Sequence, residues 1–128
     1  MAFSLAGRTI AKVGVVGSGN IGPDIALHFS TSLCEARVPV VVVDIEQGAL
    51  DRGAQKTEKK LAKEAEKGAF PKEKADAILK NIKFTLEYGE LAGCDLIVEA
   101  AAENLEIKHK IIKRLEDLSS PETILSSN

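Results

Sequence analysis

Residues 13–22 read Val-Gly-Val-Val-Gly-Ser-Gly-Asn-Ile-Gly. A short apolar run ends in the pattern Gly-x-Gly-x-x-Gly, and a helical sequence follows it. A strand, a tight turn and a helix in this order are the context in which such glycines indicate dinucleotide binding. The first glycine allows the sharp turn, the second lets a pyrophosphate approach the backbone, and the third allows close packing of the helix on the strand. The helix N-terminus itself favours a phosphate. The predicted phosphate-binding residues are Gly17, Ser18, Gly19, Asn20, Ile21 and Gly22.

An acidic residue at the end of a second apolar run supports this interpretation, because the glycines alone would also fit an ordinary turn. Residues 38–43 are rich in valine, which is typical of a buried parallel strand, and Asp44 follows them. Asp44 lies 22 positions after Gly22, close to the spacing of about 20 residues expected for a ribose-binding acid. A carboxylate there accepts hydrogen bonds from ribose hydroxyls and repels a 2′-phosphate. The sequence therefore predicts NAD rather than NADP. An FAD-binding domain shares the glycine pattern, but the segment after Asp44 argues against it.

The composition limits the function classes. The chain has 128 residues, 45% of them hydrophobic, which is enough for one domain with one core. A net charge of −2 argues against a nucleic-acid partner, and no apolar run is long enough to span a membrane. The N-terminus lacks the pattern of a signal peptide. Cys34 and Cys94 have the spacing of neither a disulfide framework nor a metal site. We therefore expect no metal, a reducing compartment and a cytoplasmic location.

A charged helical segment over residues 47–67 follows the second strand, where a minimal dinucleotide-binding domain has nothing comparable. Leucines and alanines gather on one face of this helix, and lysines gather on the other. A second amphipathic helix begins at Pro71, with Ile82 assigned to its apolar face, so the two helices are predicted to pack as a hairpin. The lysine face is either a solvated surface or a site for an anionic ligand. Its lysines are Lys56, Lys59, Lys60, Lys63 and Lys67.

Three further strands are predicted at residues 84–86, 95–100 and 123–126, with a helix over residues 105–118. Strands that alternate with helices predict an α/β fold, here a Rossmann-type doubly wound parallel sheet with the helical hairpin inserted after the second strand. Residues 1–11 are predicted to be a lead-in to this sheet. Ligands bind such sheets beyond the carboxyl ends of the strands. Glu103 follows the strand predicted over residues 95–100, so it is either a cofactor contact near the nicotinamide or an acid at a helix start.

The most specific pattern in the chain is Asp-Leu-Ile-Val-Glu-Ala-Ala-Ala-Glu-Asn-Leu at residues 95–105, followed by Lys108. Residues 124–128 read Ile-Leu-Ser-Ser-Asn. Together with the glycine turn, Asp44 and the charged hairpin, these patterns resemble the L-3-hydroxyacyl-CoA dehydrogenases of fatty-acid β-oxidation. The resemblance covers essentially the whole chain, and the last residues are similar to the start of the family's Ser-Asn-Thr-Ser segment.

The resemblance implies a role for several positions. Asp44 would hold the adenosine ribose of NAD, and Glu103 and Lys108 would lie near the nicotinamide ribose. Lys60 and Lys67 would contact the coenzyme A part of an acyl-CoA substrate, although the first of these positions often carries a hydroxyl residue in the family. Asp24 departs from the pattern in a further way, because relatives often have a small residue there, and it adds negative charge near the expected pyrophosphate.

The resemblance also implies what lies outside these 128 residues. The family's general base is a histidine in a His-Phe-Phe-Asn-Pro segment beyond the Ser-Asn pair, and neither His28 nor His109 matches it. We therefore assign no catalytic residue, and we expect residues 1–128 to be an NAD-binding domain that binds NAD without turnover. The helical second domain, through which relatives form homodimers, would be absent from this chain. The alternatives are the cofactor half of a related hydroxy-acid dehydrogenase and a non-catalytic NAD-binding module.

Overall fold

Five parallel strands form one sheet in the computed structural model, which describes residues 3–5, 8–19, 21–100 and 105–127. An antiparallel hairpin of β1 (Phe3–Leu5) and β2 (Arg8–Ile10) precedes the sheet. The strands of the sheet are β3 (Val13–Val16), β4 (Val40–Val43), β5 (Ile82–Thr85), β6 (Leu96–Glu99) and β7 (Ile124–Ser127). The helices are α1 (Gly22–Ser32), α2 (Gln47–Glu66), α3 (Lys72–Lys80) and α4 (Leu105–Leu118), with a 3-10 helix at Tyr88–Leu91.

The strand order is β5-β4-β3-β6-β7, with every neighbouring pair parallel. The chain moves outward from β3 through β4 to β5 on one side, and it then crosses over to β6 and β7 on the other. This order confirms the Rossmann-type doubly wound sheet. The strand order reverses between β3 and β6, and the crevice beyond the carboxyl ends of these strands is where ligands bind in such folds.

Alternate residues of the strands point to opposite faces of the sheet, and each face is covered by helices. Val13 and Val15 belong to a buried cluster that includes Ala26 of α1. Val16 belongs to the cluster on the other face, together with Leu115 of α4. Strand β3 is therefore buried on both faces, which explains its almost unbroken apolar sequence.

The helical hairpin predicted after the second strand is confirmed. Leu61 of α2 packs with Ala75 and Ile78 of α3 in a third buried cluster, and Leu27 of α1 packs against it. The hairpin is therefore attached to the helical layer on one face of the sheet.

One boundary difference assigns a residue to another element than the predicted one. Ile82 was assigned to the apolar face of the second hairpin helix, but α3 ends at Lys80, and Ile82 is the first residue of β5, paired with Val40. Asn81 separates the two elements, because its amide nitrogen donates to the carbonyl of Val38 at 2.5 Å and its carbonyl accepts from Val40 N at 3.0 Å. Helix α4 covers the predicted residues 105–118, and the other boundaries agree with the prediction to within three residues. None of the helices in the described residues is long and apolar enough to cross a membrane.

Candidate functional site

The glycine-rich turn between β3 and α1 is held by its own backbone. Gly17 has φ of +109°, a conformation that favours glycine, and its N–H donates to the carbonyl of Val43 at 2.7 Å. A Cβ added to Gly22 would lie 1.8 Å from the carbonyl oxygen of Gly17 and 3.7 Å from Val15. The third glycine is therefore required chiefly by the turn itself, and only secondarily by the packing of the helix on the strand.

The space in front of the turn is open. A Cβ added to Gly19 would have no described heavy atom within 4 Å. Helix α1 begins at Gly22 without a side-chain hydrogen bond at its N-cap residue, Ile21, and Pro23 contributes no N–H. The first turn of the helix thus keeps N–H groups for an anion, since the first N–H groups of a helix lack intrahelical partners. The turn fits a pyrophosphate group by this geometry.

Asp44 is fixed beside the turn by two backbone hydrogen bonds. Its Oδ2 accepts from the N–H of Ser18 at 2.8 Å, and its Oδ1 accepts from the N–H of Glu46 at 3.0 Å. Each carboxylate oxygen has more than one acceptor direction, so both oxygens retain capacity for the hydroxyls of a ribose. Asp44 thereby links the end of β4 to the glycine-rich turn, and it orients the carboxylate before any ligand arrives.

Ser18 was predicted to bind phosphate, but its contact with α2, and the role of Gly53 in that contact, were not identified from the sequence. Ser18 is 2% exposed, and its hydroxyl donates to the carbonyl of Ala49 in α2 at 2.9 Å. Gly53 faces it from the next turn of α2, where an added Cβ would lie 2.2 Å from Ser18 Oγ and 2.9 Å from Pro23 Cγ. Helix α2 can therefore approach the turn only because position 53 has no side chain. A glycine inside an amphipathic helix was the available signal.

A cleft of about 420 Å³ opens at the carboxyl ends of the strands. Its lining includes Gly17, Gly19, Asp44, Ile45, Tyr88 and Ile107. The turn, the acid and the N-terminal half of α4 thus meet at one crevice, as the fold class predicts for a dinucleotide.

Lys108 lies on α4 and reaches back towards the sheet. Its Nζ is 3.6 Å from Oε1 of Glu99, the last residue of β6, whose side chain is 1% exposed. Glu99 was not singled out from the sequence, because an acid at the end of an apolar strand gives no sign of its burial. Glu103 and Asn20, both predicted to contact the cofactor, lie outside the described residues.

The lysine face of α2 borders a groove of about 520 Å³ that includes Lys56, Lys59, Lys60 and Lys63. Two of these lysines are paired with an acid from the first turn of α1. Asp24 Oδ1 is 2.5 Å from Lys60 Nζ, and Asp24 Oδ2 is 3.3 Å from Lys56 Nζ. Partial burial raises the pKa of Asp24, but hydrogen bonds from Lys60 and Lys56, together with their charges, bring the pKa below its usual value. The negative charge of Asp24, which was expected to oppose a pyrophosphate, is therefore balanced by the charges of Lys56 and Lys60.

Lys67, His28 and His109 are not among the described residues that line the cleft beside Asp44. Lys67 is the exposed C-cap residue of α2, one full turn beyond Lys63 along the helix. His28 of α1 and His109 of α4 are both exposed, and the described lining of the cleft contains neither. Cys94 is buried and Cys34 is half-buried, and both are free thiols.

Comparison with known proteins identifies the family. The model of the 3-hydroxyacyl-CoA dehydrogenase NAD-binding domain matches residues 12–128. The chain is 41% identical to a probable 3-hydroxybutyryl-CoA dehydrogenase of Deinococcus radiodurans, over 91% of this chain and 40% of that protein. It is 34% identical to the peroxisomal fatty acid beta-oxidation multifunctional protein AIM1 of Arabidopsis thaliana, over 94% of this chain and 16% of that protein.

Solved structures agree with this assignment. The (S)-3-hydroxybutyryl-CoA dehydrogenase PaaH1 of Ralstonia eutropha superimposes with a TM-score of 0.85 at 30% identity, covering 93% of this chain and 41% of that one. The chain thus spans about 40% of the length of the Deinococcus relative. The fold, the turn and the matched residues have one common explanation: this chain belongs to the family of 3-hydroxyacyl-CoA dehydrogenase NAD-binding domains, whose cofactor is NAD.

Proposed function

We propose that this chain is the cofactor-binding part of an enzyme that oxidises L-3-hydroxyacyl-CoA to 3-ketoacyl-CoA, in fatty-acid β-oxidation or related acyl-CoA metabolism. The observation that carries the proposal is the open glycine turn with Asp44 fixed beside it, in a chain that belongs to this family. In this proposal the turn from Gly17 to Gly22 holds the pyrophosphate and Asp44 holds the adenosine ribose. Glu103 and Lys108 lie near the nicotinamide ribose.

The reaction would divide between this chain and a second, helical domain. NAD supplies the acceptor for the hydride that leaves C3 of the substrate, while a base takes the proton of the C3 hydroxyl. Residues 1–128 contribute cofactor binding and orientation, and the resemblance assigns the base to a histidine that these residues do not include. The whole protein would be a cytoplasmic homodimer that pairs through the second domain.

Coenzyme A recognition is the finer part of the proposal. Lys60 and Lys67 would attract phosphates of coenzyme A, and the adjoining groove gives the lysine face room for an extended anionic ligand. Because Lys60 already pairs with Asp24, binding at Lys60 would require that ion pair to rearrange. Reversing both charges, by Lys60→Glu with Lys67→Glu, should weaken acyl-CoA binding by the whole protein. Unchanged acyl-CoA binding would favour a dehydrogenase of free hydroxy acids instead.

The first test uses the 128-residue chain. NADH is titrated into the folded protein, with folding checked by circular dichroism, and NADH oxidation is then followed with acetoacetyl-CoA at high protein concentration. We expect NADH to bind and no turnover to occur. Asp44→Ala should weaken NADH binding at least about tenfold, since it removes both oxygens offered to the ribose. A folded chain that does not bind NADH would overturn the proposal. Turnover would show that a base lies within these residues, with His109 the first candidate.

A further inference from the structure

Tyr88 is a buried polar residue of the cleft to which the sequence and the family comparison assign no role. It begins the 3-10 helix that follows β5, and it is 7% exposed. Its ring packs in the cluster that includes Val43 and Leu91, on the α4 side of the sheet. The same residue lines the cleft together with Asp44 and Ile107. The body of the side chain therefore belongs to the core, while part of it borders the site.

The hydroxyl of Tyr88 has no hydrogen-bond partner among the described residues. Buried tyrosine hydroxyls usually find a partner, because an unpaired polar group in the interior costs free energy. In the described residues, however, no fully buried side-chain nitrogen or oxygen lacks a partner. The hydroxyl oxygen is therefore not fully buried, and Tyr88 is one of the residues that line the cleft. A donor in this position is available to a ligand.

The charges around Tyr88 keep its hydroxyl protonated. Burial raises the pKa of Tyr88, the carboxylate of Asp44 raises it further, Arg114 lowers it and Glu99 raises it, so the net shift is upward. Arg114 of α4 also holds the ring in place, with its Cζ 4.4 Å from the ring centroid. Tyr88 is thus a fixed hydrogen-bond donor at any pH near neutrality.

The apolar surroundings of the cleft indicate which half of NAD this donor meets. Ile45 directly follows Asp44 and is 82% exposed, and Ile107 is 49% exposed on the facing helix. Exposed large apolar side chains around a concave site favour a flat, apolar group such as a purine. Asp44, the proposed ribose ligand, lines the same cleft. The adenosine half of the cofactor is the part that combines a purine with a ribose beside Asp44.

We propose that the hydroxyl of Tyr88 donates a hydrogen bond to the adenosine half of NAD, and that Tyr88 is a specificity-determining residue of this cleft. The inference rests on the proposed binding of NAD in the cleft. Purine ring nitrogens and ribose oxygens are both acceptors, so either could receive this bond. The phenolic hydroxyl then selects for ligands that present an acceptor to Tyr88.

The test removes only the hydroxyl. Tyr88→Phe keeps the ring in the core, and its affinity is compared with that of the unchanged chain for NADH, AMP and reduced nicotinamide mononucleotide by isothermal titration. Loss of one hydrogen bond should weaken NADH and AMP binding roughly fivefold. Binding of the mononucleotide should not change, since it lacks the adenosine half. Thr123→Val is the matched control, because it removes a hydroxyl that bonds the carbonyl of Cys94 rather than one that lines the cleft.

Two outcomes would overturn the inference while NAD binding by the cleft stands. One is equal affinity of both proteins for NADH and AMP, and the other is an equal loss for the mononucleotide. If the unchanged, folded chain binds no NADH, the proposed function itself fails. A second measurement, by NMR, needs no variant. Tyr88 is the only tyrosine of the chain, so protein with isotope-labelled tyrosine gives one set of ring signals. We expect AMP to shift these signals and the mononucleotide to leave them in place.

Discussion

Gly19 and Gly22 lie three positions apart in one turn, yet an added methyl group would have different effects at the two. At Gly22 the methyl carbon would meet the Gly17 carbonyl at 1.8 Å, so the turn would have to open. We expect Gly22→Ala to lower the free energy of unfolding by about 3 kcal/mol, at the upper end of overpacking costs. Thermal or urea unfolding of the variant measures this.

Gly19→Ala is the matched variant, because the same methyl group there meets no described atom within 4 Å. Its stability should therefore equal that of the unchanged chain within about 0.5 kcal/mol. The methyl group would instead occupy the space proposed for the pyrophosphate, and NADH affinity should fall at least about tenfold. A Gly19→Ala variant that binds NADH as tightly as the unchanged chain would contradict the proposed role of the turn.

Cys94 and Cys34 should differ sharply in reactivity. Burial raises the pKa of the Cys94 thiol, the charge of Lys12 lowers it and that of Asp95 raises it, with a net value of about 11. The thiolate is the reactive form, so at pH 8 roughly one Cys94 thiol in a thousand is reactive. A disulfide reagent should modify one thiol per native chain and two after unfolding, and Cys34→Ser should abolish the native reaction. Equal labelling of both cysteines in the native protein would exclude this assignment.

The same thiol makes stability depend on pH in the alkaline range. Its folded pKa of about 11 lies above its ordinary value of 9.0, so the folded chain holds a proton that the unfolded chain releases. The contribution to stability is complete below pH 9 and is lost as the pH rises towards 11. Cys94→Ala should therefore reduce the loss of unfolding free energy between pH 9 and pH 11.

At the scale of elements, Asp24 joins the start of α1 to the middle of α2 through Lys56 and Lys60. We expect Asp24→Ala to cost less than about 1 kcal/mol of stability, because the three side chains are partly exposed. If Lys60 binds coenzyme A, release of its partner should tighten coenzyme A binding about threefold at low salt, and high salt should reduce the gain. Titration calorimetry at two salt concentrations measures the effect.

Asp76→Asn is the control for this experiment, since it removes one negative charge from an exposed position of α3. A gain in coenzyme A affinity that is equal in both variants would reflect net charge alone.

Because the pKa of Asp24 in the folded chain lies below its ordinary value of 3.8, the ion pairs of Asp24 are complete above that pH. They are lost only as the pH falls through the lower, folded value.

The sequence predicted elements better than the contacts between them. Helix α4 has a strong apolar periodicity and covers the predicted residues, whereas α3 was predicted to extend to Ile82 because that residue continues its periodicity. The hydrogen bonds of Asn81 to Val38 and Val40 end the helix, and these are contacts between distant parts of the chain. Likewise, a helical wheel identifies the lysine face but not the pairing of Lys60 with Asp24, which lies 36 positions away.

At the scale of the whole molecule, the cofactor should stabilise the fold. A ligand that binds only the folded chain adds about 2.7 kcal/mol at a concentration 100 times its dissociation constant. We expect NADH to raise the melting temperature by several degrees and NADPH to raise it less at the same concentration, because the carboxylate of Asp44 repels a 2′-phosphate. Scanning calorimetry with both cofactors measures the difference. Asp44→Asn removes the charge and should therefore reduce the difference in melting temperature between the two cofactors. Equal stabilisation of the unchanged chain by both cofactors would contradict the preference for NAD.

The doubly wound parallel sheet was predicted at this scale, because the alternation of valine-rich runs with helices permits few topologies. The family and NAD, both predicted from motifs, are also confirmed. The hairpin of β1 and β2 was not predicted, since residues 1–11 carry no turn signal strong enough to identify it. The support of the turn by Ser18 and Gly53 escaped detection because it depends on how closely two helices approach, which periodicity does not report.

Gly53 has a consequence for protein engineering. The α2–α3 hairpin looks like a detachable insertion, and transplanting it into a simpler dinucleotide-binding domain would be one route to new ligand recognition. The hairpin and the glycine-rich turn nevertheless interlock at position 53, which leaves room for Ser18 and Pro23. A graft must therefore carry both halves of that contact. A recipient with a larger residue at either half would have to distort its own nucleotide site to accept the insertion.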